Sequence, residues 1–253
     1  MIVTAEHAKQ FDEQGYFVLE KAMSHEQLEG LRNECQRFID MMNAEMDAKG
    51  VDTIDISHRN KRYFIGKCYR KSKTVTDYIF SDLMAEIAHA VLGDDVFFFA
   101  EQYVAKCGEV GMKFGWHQDG GYIGHPHRPY LTCWSALDDV REENGTIYIL
   151  PFDRAGTHDS VPHYREEGTN DLIGYNGDDP GIPLIVPAGS VAVFSSTTFH
   201  RSGPNTTDKM RRVYLTQYSA EPIMNKEGTD LWNLAEPFIK DGKRVVKPTP
   251  HRI

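Results

Sequence analysis

The chain contains 253 residues, of which 40% are apolar and 26% are charged, and its formal net charge at pH 7 is −9. These fractions are close to the averages of soluble globular proteins, so they exclude fibrous, disordered and disulfide-scaffold classes. The negative charge argues against nucleic acid and anionic membranes as partners, because both require clustered lysine and arginine.

The cysteines and the N-terminus indicate a reducing compartment. The four cysteines, Cys35, Cys68, Cys107 and Cys133, are irregularly spaced and form no CxxC pair, so we expect reduced residues in or near the core. The N-terminus, MIVTAEHAKQF, has no basic segment followed by an apolar one, and no apolar run approaches the ~18 residues of a membrane span. We therefore predict a cytoplasmic protein with no membrane partner.

The first third of the chain is predicted to be mainly helical. A first helix begins at an N-cap, Thr4, and ends at Gly15, and the strand-like run YFVLEKA follows it. A long amphipathic helix begins with a capping box at Ser24 and ends at Gly50. The segment KTVTDYIFSDLMAEIAHAVLG predicts one further helix that ends at Gly93.

From about residue 95 the sequence changes to short runs rich in β-branched and aromatic residues. The clearest predicted strands are VFFFAEQYVAK, LTCWSALDD, TIYILP, LIVPAGSVAVF and RRVYLTQYSA. Their spacing favours an antiparallel sandwich or barrel, so the predicted fold class is mainly β with flanking α-helices. A polar stretch from Asp153 to Pro183 is too long for a hairpin connection, and such loops are usually functional lids or disordered segments.

No repeat or linker divides the chain, so we predict a single domain over residues 1–253. Its helix-rich part covers about residues 1–94, its β core about 95–220, and a C-terminal extension 221–253. The extension carries Trp232 and Phe238, which we expect to cover either the core or a partner. A monomer and a homodimer are both compatible with this sequence.

The segment KFGWHQDGGYIG contains a possible pair of metal ligands, His117 and Asp119. If the segment is extended, both side chains point to one face and Gln118 points to the other. Iron(II) enzymes that activate oxygen use two histidines and one carboxylate. The best second histidine is His200, because it follows an apolar strand that could run beside the first one. An HxD pair alone is weak evidence in a chain with 11 histidines, since most such pairs lie on the surface or in a hydrogen-bonded core.

Arg211 is the candidate ligand-binding cation. In KMRRVYLTQYSA it shares one face of the predicted strand with Val213 and Leu215. Arg212 lies on the other face and is expected to point to solvent or a rim. A buried arginine is costly unless it is paired, and its planar fork suits a carboxylate. Because Arg211 follows His200 by eleven residues, the sequence predicts a site for an organic acid there.

Four motifs occur in order along roughly residues 5 to 220: WHQD followed by glycine, ENGTIYILP, GSVAVFSSTTFHRSGPN and MRRVYLTQY. Together they resemble the iron(II)/2-oxoglutarate dioxygenases of the phytanoyl-CoA dioxygenase family. The resemblance implies a double-stranded β-helix core, which is a jelly roll of the cupin type. The loop after Pro151 departs from the family pattern, because PFDRAGTHD stands where many relatives have Gly-Ser-His.

The resemblance implies that His117, Asp119 and His200 are the catalytic residues and bind Fe(II). In halogenases related to this family, a small residue replaces the metal-bound carboxylate and makes room for chloride. Asp119 is present in this chain, so the resemblance favours hydroxylation or a related oxidation over halogenation.

The resemblance also implies a pocket for the cosubstrate 2-oxoglutarate. Arg211 would pair with its distal carboxylate, with Ser202 beside it. Gln102 in EQYVAK and Trp134 in TCWSALDD match family positions that line this pocket, although a glutamine or tryptophan on a strand can also serve packing alone.

The implied reaction uses O2 and converts 2-oxoglutarate to succinate and CO2 while a C–H bond of a small organic substrate is oxidised. A natural-product-like or amino-acid-like substrate is favoured, because no extensive apolar groove is visible. We expect the segments Tyr122–Tyr130, Asn60–Lys71 and 153–183 to converge over the iron. A second histidine pair, His125 and His127, has no obvious carboxylate partner, so we do not expect it to bind metal.

Two alternatives to an oxygenase are open at this stage. One is a non-catalytic β-barrel that binds a small carboxylic acid through Arg211. Pure binding does not need a complete HxD…H set, which argues against it. The other is a metal enzyme that uses zinc for isomerisation or hydrolysis, and Arg211 placed for a dicarboxylate argues against that one.

Overall fold

The computed structural model describes residues 2–108, 113–167 and 171–245. Its helices are α1 (Ala5–Gln14), α2 (His25–Lys49), α3 (Lys73–Ile79), α4 (Asp82–Leu92) and α5 (Phe152–Ala155), with 3₁₀ turns at Tyr69–Lys71 and Asp119–Tyr122. Its strands are β1 (Tyr16–Leu19), β2 (Thr53–Ile54), β3 (Ser57–His58), β4 (Arg62–Gly66), β5 (Val96–Lys106), β6 (Phe114–His117), β7 (Leu131–Ala136), β8 (Ile147–Leu150), β9 (Tyr164–Arg165), β10 (Leu172–Ile173), β11 (Ile182–Pro183), β12 (Val191–Ser195), β13 (Phe199–Ser202), β14 (Arg211–Ser219), β15 (Glu236–Lys240) and β16 (Lys243–Arg244).

The described strands form two main antiparallel sheets that pack against each other. The larger sheet has the order β1-β12-β7-β14-β5-β4-β3-β2, and the smaller one has the order β11-β8-β13-β6. Trp134, Val213 and Leu215 of the larger sheet share an apolar cluster with Ile147 and Ile149 of the smaller sheet. The predicted mainly β fold with flanking helices is therefore confirmed, and the interior between the sheets is where a site can form.

The helices cover the opposite face of the larger sheet. Leu31 and Phe38 of α2 and Ile87 of α4 pack in one buried cluster with Tyr103 and Tyr214 of the sheet. The apolar side chains of the helices cover this face of the sheet, and their burial is the main contribution to the stability of such a core. The face that carries Arg211 is left for the smaller sheet and the site.

The caps of the first two helices are confirmed. Thr4 accepts a hydrogen bond from the backbone of His7 at the start of α1, and Ser24 starts α2 with a capping box. Gly15 and Gly50 end these helices with φ angles of +83° and +65°. Left-handed backbone of this kind favours glycine.

The prediction of one helix up to Gly93 is wrong, because the structure divides it into α3 and α4. Ser81 starts α4 as an N-cap, with its hydroxyl accepting a hydrogen bond from the backbone of Met84 at 3.3 Å. Phe80, between the helices, packs its ring against Phe98 and Phe238. The cap and the buried ring together favour a break that the apolar spacing does not reveal.

The prediction that the apolar strand before His200 runs beside the HxD segment is also wrong. That strand is β12, which pairs with β1 and β7 in the larger sheet. The chain then crosses to the smaller sheet through a turn in which Thr198 donates a hydrogen bond to the carbonyl of Gly15 at 2.8 Å. His200 lies after this turn on its own strand, β13, and it is β13 that pairs with β6.

The C-terminal extension packs onto the larger sheet. Strand β15 pairs with β5, and Phe238 on β15 is 1% exposed. The Glu236 carboxylate accepts a hydrogen bond from the Tyr69 hydroxyl at 2.8 Å. Phe238 therefore covers the core, whereas Trp232 remains 46% exposed.

The cysteines are free, as predicted. Cys35, Cys68 and Cys133 are buried, and Cys107 is half-buried. Among the described residues, no helix has both the length and the apolar character needed to cross a membrane.

Candidate active site

The candidate metal ligands lie on adjacent strands of the smaller sheet. His117 ends β6, and His200 on β13 is its direct cross-strand partner, with the two ring centroids 4.2 Å apart. Asp119 lies beyond β6, but Gln118 keeps an extended backbone with φ −108° and ψ 136°. The alternation of an extended chain therefore holds up to Asp119. One potential ligand atom from each of the three residues lies within 4.8 Å of the other two.

Both histidines are held in the tautomer that a metal requires. The Nδ1 atom of His117 is 2.9 Å from the carbonyl oxygen of Gly115, and that of His200 is 3.1 Å from the carbonyl oxygen of Thr198. A carbonyl only accepts hydrogen bonds, so each Nδ1 carries the proton. The Nε2 atoms of both rings are then free to bind a metal.

The electrostatics of the site keep His117 neutral. Burial, together with the neighbouring His200, lowers the pKa of His117 to about 3, although Asp119 opposes the shift. A neutral imidazole is the form that binds metal. His117 therefore presents an uncharged nitrogen ligand at physiological pH.

Asp119 turns one carboxylate oxygen towards the histidines. Its Oδ1 lies 3.6 Å from Nε2 of His200. Its Oδ2 accepts hydrogen bonds from the Thr132 hydroxyl at 2.7 Å and from Nε2 of Gln217 at 3.1 Å. Two neutral imidazoles and one carboxylate are the ligand set of oxygen-activating iron(II) enzymes, so these residues fit an iron ion.

Three buried basic side chains form a row across the larger sheet. Lys106 on β5 is in register with Arg62 on β4 and with Arg211 on β14, and all three are at most 3% exposed. Asp171 lies 3.7 Å from Nη1 of Arg62, and this nitrogen has no hydrogen-bond partner in the described part of the chain. Because buried charge is costly unless paired, the row indicates a place for an anion.

Arg211 is buried and points inward, as the strand pattern predicts. Its guanidinium donates hydrogen bonds to the carbonyl oxygens of Asn144 and Gly145. Burial lowers its pKa to about 10, and Asp138 partly opposes this shift. No carboxylate of the described residues forms a salt bridge with Arg211, whereas Arg212 is paired with Asp138 at 2.7 Å.

Lys106 is a site residue that the motif reading missed. Its Nζ atom donates hydrogen bonds to the Ser202 hydroxyl at 2.8 Å and to the carbonyl oxygen of Gly203. Burial, with Arg211 and Arg62 nearby, lowers the pKa of Lys106 to about 6. Lysine responds strongly to burial in this way because its charge is compact.

One cavity of about 310 Å³ contains every residue that the sequence singled out for the site. Those residues are His117, Asp119, His200, Arg211, Gln102, Trp134 and Ser202. Lys106 and Gln217 line the same cavity. The guanidinium carbon of Arg211 lies 5.8 Å from the Trp134 ring, so the tryptophan also borders the cationic end.

The three expected loop segments converge on this cavity. Tyr122 and Tyr130 contribute from the first, Phe64 from the second, and Asp171 from the long polar loop. The polar loop includes residues 168–170, which lie outside the described residues. Trp232 of the C-terminal extension also lines the cavity, a contribution that no motif indicated.

The Gln118 side chain links the polar loop, residues 153–183, to the segment that carries His117 and Asp119. Its side chain points away from His117 and Asp119 and is fully buried. Its amide nitrogen donates to the carbonyl oxygen of Asp159 at 2.9 Å, and its amide oxygen accepts from the backbone of Val161 at 2.9 Å. The residue between the two ligands thus anchors the beginning of the polar loop.

The second histidine pair does not form a metal site with other described residues. His127 stacks on Tyr130 with ring centroids 5.8 Å apart. His125 contacts the carbonyl oxygen of Met224 at 2.9 Å. Within the described ranges, the one cluster of histidine, cysteine and carboxylate ligands with metal-binding spacing is His117, Asp119 and His200.

Comparison with known proteins finds one matching family model and several relatives that align along most of the chain. The family model described as phytanoyl-CoA dioxygenase (PhyH) matches residues 11–213. The ectoine dioxygenase of Nocardia farcinica is 26% identical over 96% of this chain and 83% of its own length. The peroxisomal phytanoyl-CoA dioxygenase of Mus musculus is 22% identical over 94% of this chain and 75% of its own length.

A solved structure gives the same fold. EctD from S. alaskensis, crystallised with 2-oxoglutarate and 5-hydroxyectoine, superposes with a TM-score of 0.70 at 22% identity, over 96% of this chain and 87% of that one. At this identity the likeness shows the fold alone. The expected jelly-roll core is therefore confirmed.

Proposed function

The chain belongs to the phytanoyl-CoA dioxygenase family, and from this premise we propose that His117, Asp119 and His200 hold the Fe(II) of a 2-oxoglutarate-dependent dioxygenase. The enzyme couples the decarboxylation of 2-oxoglutarate to succinate and CO2 with oxidation of an organic substrate. The observation that carries the residue assignment is the buried His-Asp-His cluster, whose ligand atoms lie within 4.8 Å of one another.

We propose that the cationic end of the cavity binds the distal carboxylate of 2-oxoglutarate. Arg211 supplies the planar fork that suits a carboxylate, and Lys106 and Ser202 supply two further donors beside it. Gln102 and Trp134 form the side walls. The support for this assignment is that Arg211 is 2% exposed and has no carboxylate partner among the described residues, so an anionic ligand offsets its burial.

The metal ligands and the apolar walls of the cavity have different roles in the proposed reaction. When bound, Fe(II) supplies the coupling of O2 reduction to 2-oxoglutarate decarboxylation and C–H oxidation. His117 and His200 would hold the ion through Nε2, and Asp119 would hold it through a carboxylate oxygen, which is the two-histidine, one-carboxylate set of oxygen-activating iron(II) enzymes. Apolar walls such as Phe99 and Ile123 exclude water and keep the substrate in place.

The substrate is proposed to be a small or medium-sized organic molecule. A second cavity of about 490 Å³ adjoins the first and shares Ala100, Gln102, Gln217 and Asn233 with it. We propose that the substrate reaches the metal ligands along this shared wall. Hydroxylation is the favoured outcome, because Asp119 occupies the position that a halogenase needs vacant.

The non-catalytic alternative, a β-barrel that binds a small carboxylic acid, finds no support. Relatives that match almost the whole chain are named as dioxygenases. A protein that only binds an acid also has no use for two histidines that are both held with Nε2 free.

Anaerobic addition of Fe(II) and 2-oxoglutarate to the metal-free protein tests the proposed function. We expect the weak visible charge-transfer band of an iron-bound keto acid, which requires both components. Succinate release in air then provides the assay for screening candidate substrates. Well-folded protein that gives no band would reject the iron site and return the acid-binding alternative to first place.

We predict that 2-oxoglutarate binding takes up about one proton near pH 8. In the empty site the pKa of Lys106 is about 6, so the amine is neutral at that pH. An adjacent carboxylate favours the charged amine and raises this pKa, so the proton comes from the solvent. Titration calorimetry with manganese(II) in place of iron, repeated in buffers of different ionisation enthalpy, measures this uptake.

The proton uptake on 2-oxoglutarate binding should be confined to one pH window and should depend on Lys106. Uptake is expected between the lowered pKa of about 6 and the ordinary lysine pKa of about 10.4, and it disappears below this window because the amine is already charged. Lys106→Met should remove the uptake, whereas Lys61→Met, at an exposed lysine, should leave it. Equal uptake in wild type and Lys106→Met would contradict the assignment.

A further inference from the structure

We propose that Thr132 and Gln217 are positioning residues that hold Asp119 as a one-oxygen metal ligand. The inference rests on the proposed iron site and adds two residues to it. Both act through Asp119, and they do so from two strands of the larger sheet, whereas the histidines lie on the smaller sheet. The iron site is thus built across the space between the two sheets.

The hydrogen bonds to Asp119 converge on a single atom. Oδ2 of Asp119 accepts from the Thr132 hydroxyl at 2.7 Å and from Nε2 of Gln217 at 3.1 Å. The same Gln217 nitrogen also lies 3.1 Å from the Thr132 oxygen. Thr132 is fully buried, so water does not compete for its hydroxyl.

The backbone fixes the positions of Thr132 and Gln217 relative to each other. Thr132 on β7 and Gln217 on β14 are direct cross-strand partners. Their side chains therefore project from the same rung of the sheet, and cross-strand neighbours on one face lie within contact distance. Neither residue depends on a loop for its position.

The orientation of the Gln217 amide follows from the acceptor it faces. An ionised carboxylate only accepts hydrogen bonds, so the amide nitrogen, and not the oxygen, must point to Asp119. Gln217 also lines both the first and the second cavity. The side chain that holds the metal carboxylate thus stands where the two cavities meet.

The arrangement has a chemical consequence for the metal. With Oδ2 held by two donors, Oδ1 is the oxygen turned towards His200. A carboxylate that is free to rotate can bind a metal through both oxygens and so occupy a second coordination position. The two hydrogen bonds keep that position available for cosubstrate or O2.

The test compares metal binding in four variants. Thr132→Val removes the hydroxyl at nearly constant shape, and Gln217→Met removes the amide at similar length. Loss of partners of this kind costs roughly 10–100-fold in metal affinity, and we expect a loss of that order in both variants. Thr132→Ser restores the hydroxyl and should bind close to wild type. Thr216→Val is the matched control, because Thr216 is equally buried but contacts Met84 instead of Asp119.

Two readouts separate a positioning role from a structural one. Cobalt(II) titration of the metal-free protein gives the affinity, and the visible cobalt absorption reports the coordination number. We expect an altered cobalt spectrum in Thr132→Val and Gln217→Met and an unchanged one in Thr132→Ser and Thr216→Val. Thermal unfolding without metal monitors the fold of each variant.

The outcomes distinguish this inference from the proposed function. If wild type and His200→Ala bind cobalt equally, the iron site itself is wrong. If wild type binds at the triad and Thr132→Val matches it in affinity and spectrum, the positioning role is overturned. A Thr132→Ser variant as weak as Thr132→Val also overturns it, because the methyl group and not the hydroxyl would then matter.

Discussion

Replacement of His200 by alanine is expected to abolish the iron-dependent charge-transfer band and the release of succinate. His200 supplies one of two nitrogen ligands, and its Nε2 is directed to Asp119 at 3.6 Å. Loss of an outer partner of a metal ligand costs roughly 10–100-fold in affinity or activity, so loss of a ligand should exceed that range. His117→Ala and Asp119→Ala should give the same result.

The fold should survive these substitutions. The ligands face a cavity, so their truncation enlarges an existing space, although His200 also packs its ring against Phe194 of an apolar cluster at 4.8 Å. Circular dichroism and thermal unfolding of the metal-free variants check this point. Equal unfolding of all three variants would mean that the residues are structural.

His127→Ala is the matched control for the histidine variants. Its Nδ1 lies 2.9 Å from the carbonyl oxygen of His125, which is the same local bond that orients His117 and His200. It differs in having no carboxylate ligand in position, since the described metal cluster consists of the other three residues. Iron binding should be unchanged in His127→Ala, and a loss there as large as in His200→Ala would contradict the assignment of the triad.

The two-residue alternation of side chains along a strand explains which site residues could be predicted from the sequence and applies equally to two that were not. The alternation placed Arg211 inward and Gln118 away from the two ligands, and the structure bears out both. The same alternation leads from Gln102 to Lys106 on β5, and from Arg211 to Gln217 on β14. Those residues line the same cavity and lie within the segments EQYVAK and MRRVYLTQY, but the family resemblance gave them no role, so they were not predicted as site residues.

Other features depend on contacts that no local pattern carries. His200 reaches His117 because the chain changes sheets within a turn of hydroxyl residues, and Thr198 in that turn bonds to Gly15, which is 183 residues away. The break between α3 and α4 depends on Phe80 packing against Phe98 and Phe238. Tertiary packing decides these points, so propensity and periodicity could not predict them.

Replacement of Arg211 by methionine is expected to raise the KM for 2-oxoglutarate while leaving iron affinity near wild type. Removing one partner of a buried, hydrogen-bonded charge pair costs about 2–5 kcal/mol, which corresponds to roughly 30- to 5,000-fold in affinity. Arg211→Lys keeps the charge but loses the planar fork, so it should fall between wild type and Arg211→Met. Succinate release as a function of 2-oxoglutarate concentration gives the KM of each variant.

Two controls separate loss of cosubstrate binding from loss of fold. Arg212→Met removes the neighbouring arginine on the opposite face, which is paired with Asp138 at 2.7 Å, and should leave the KM for 2-oxoglutarate unchanged. Arg211→Met should remain folded without ligand, because removal of an unpaired buried charge opposes the loss of its hydrogen bonds to the carbonyl oxygens of Asn144 and Gly145. An unchanged KM in Arg211→Met would show that the distal carboxylate of 2-oxoglutarate does not bind at this end of the cavity. A different anion would then be needed to offset the burial of Arg211.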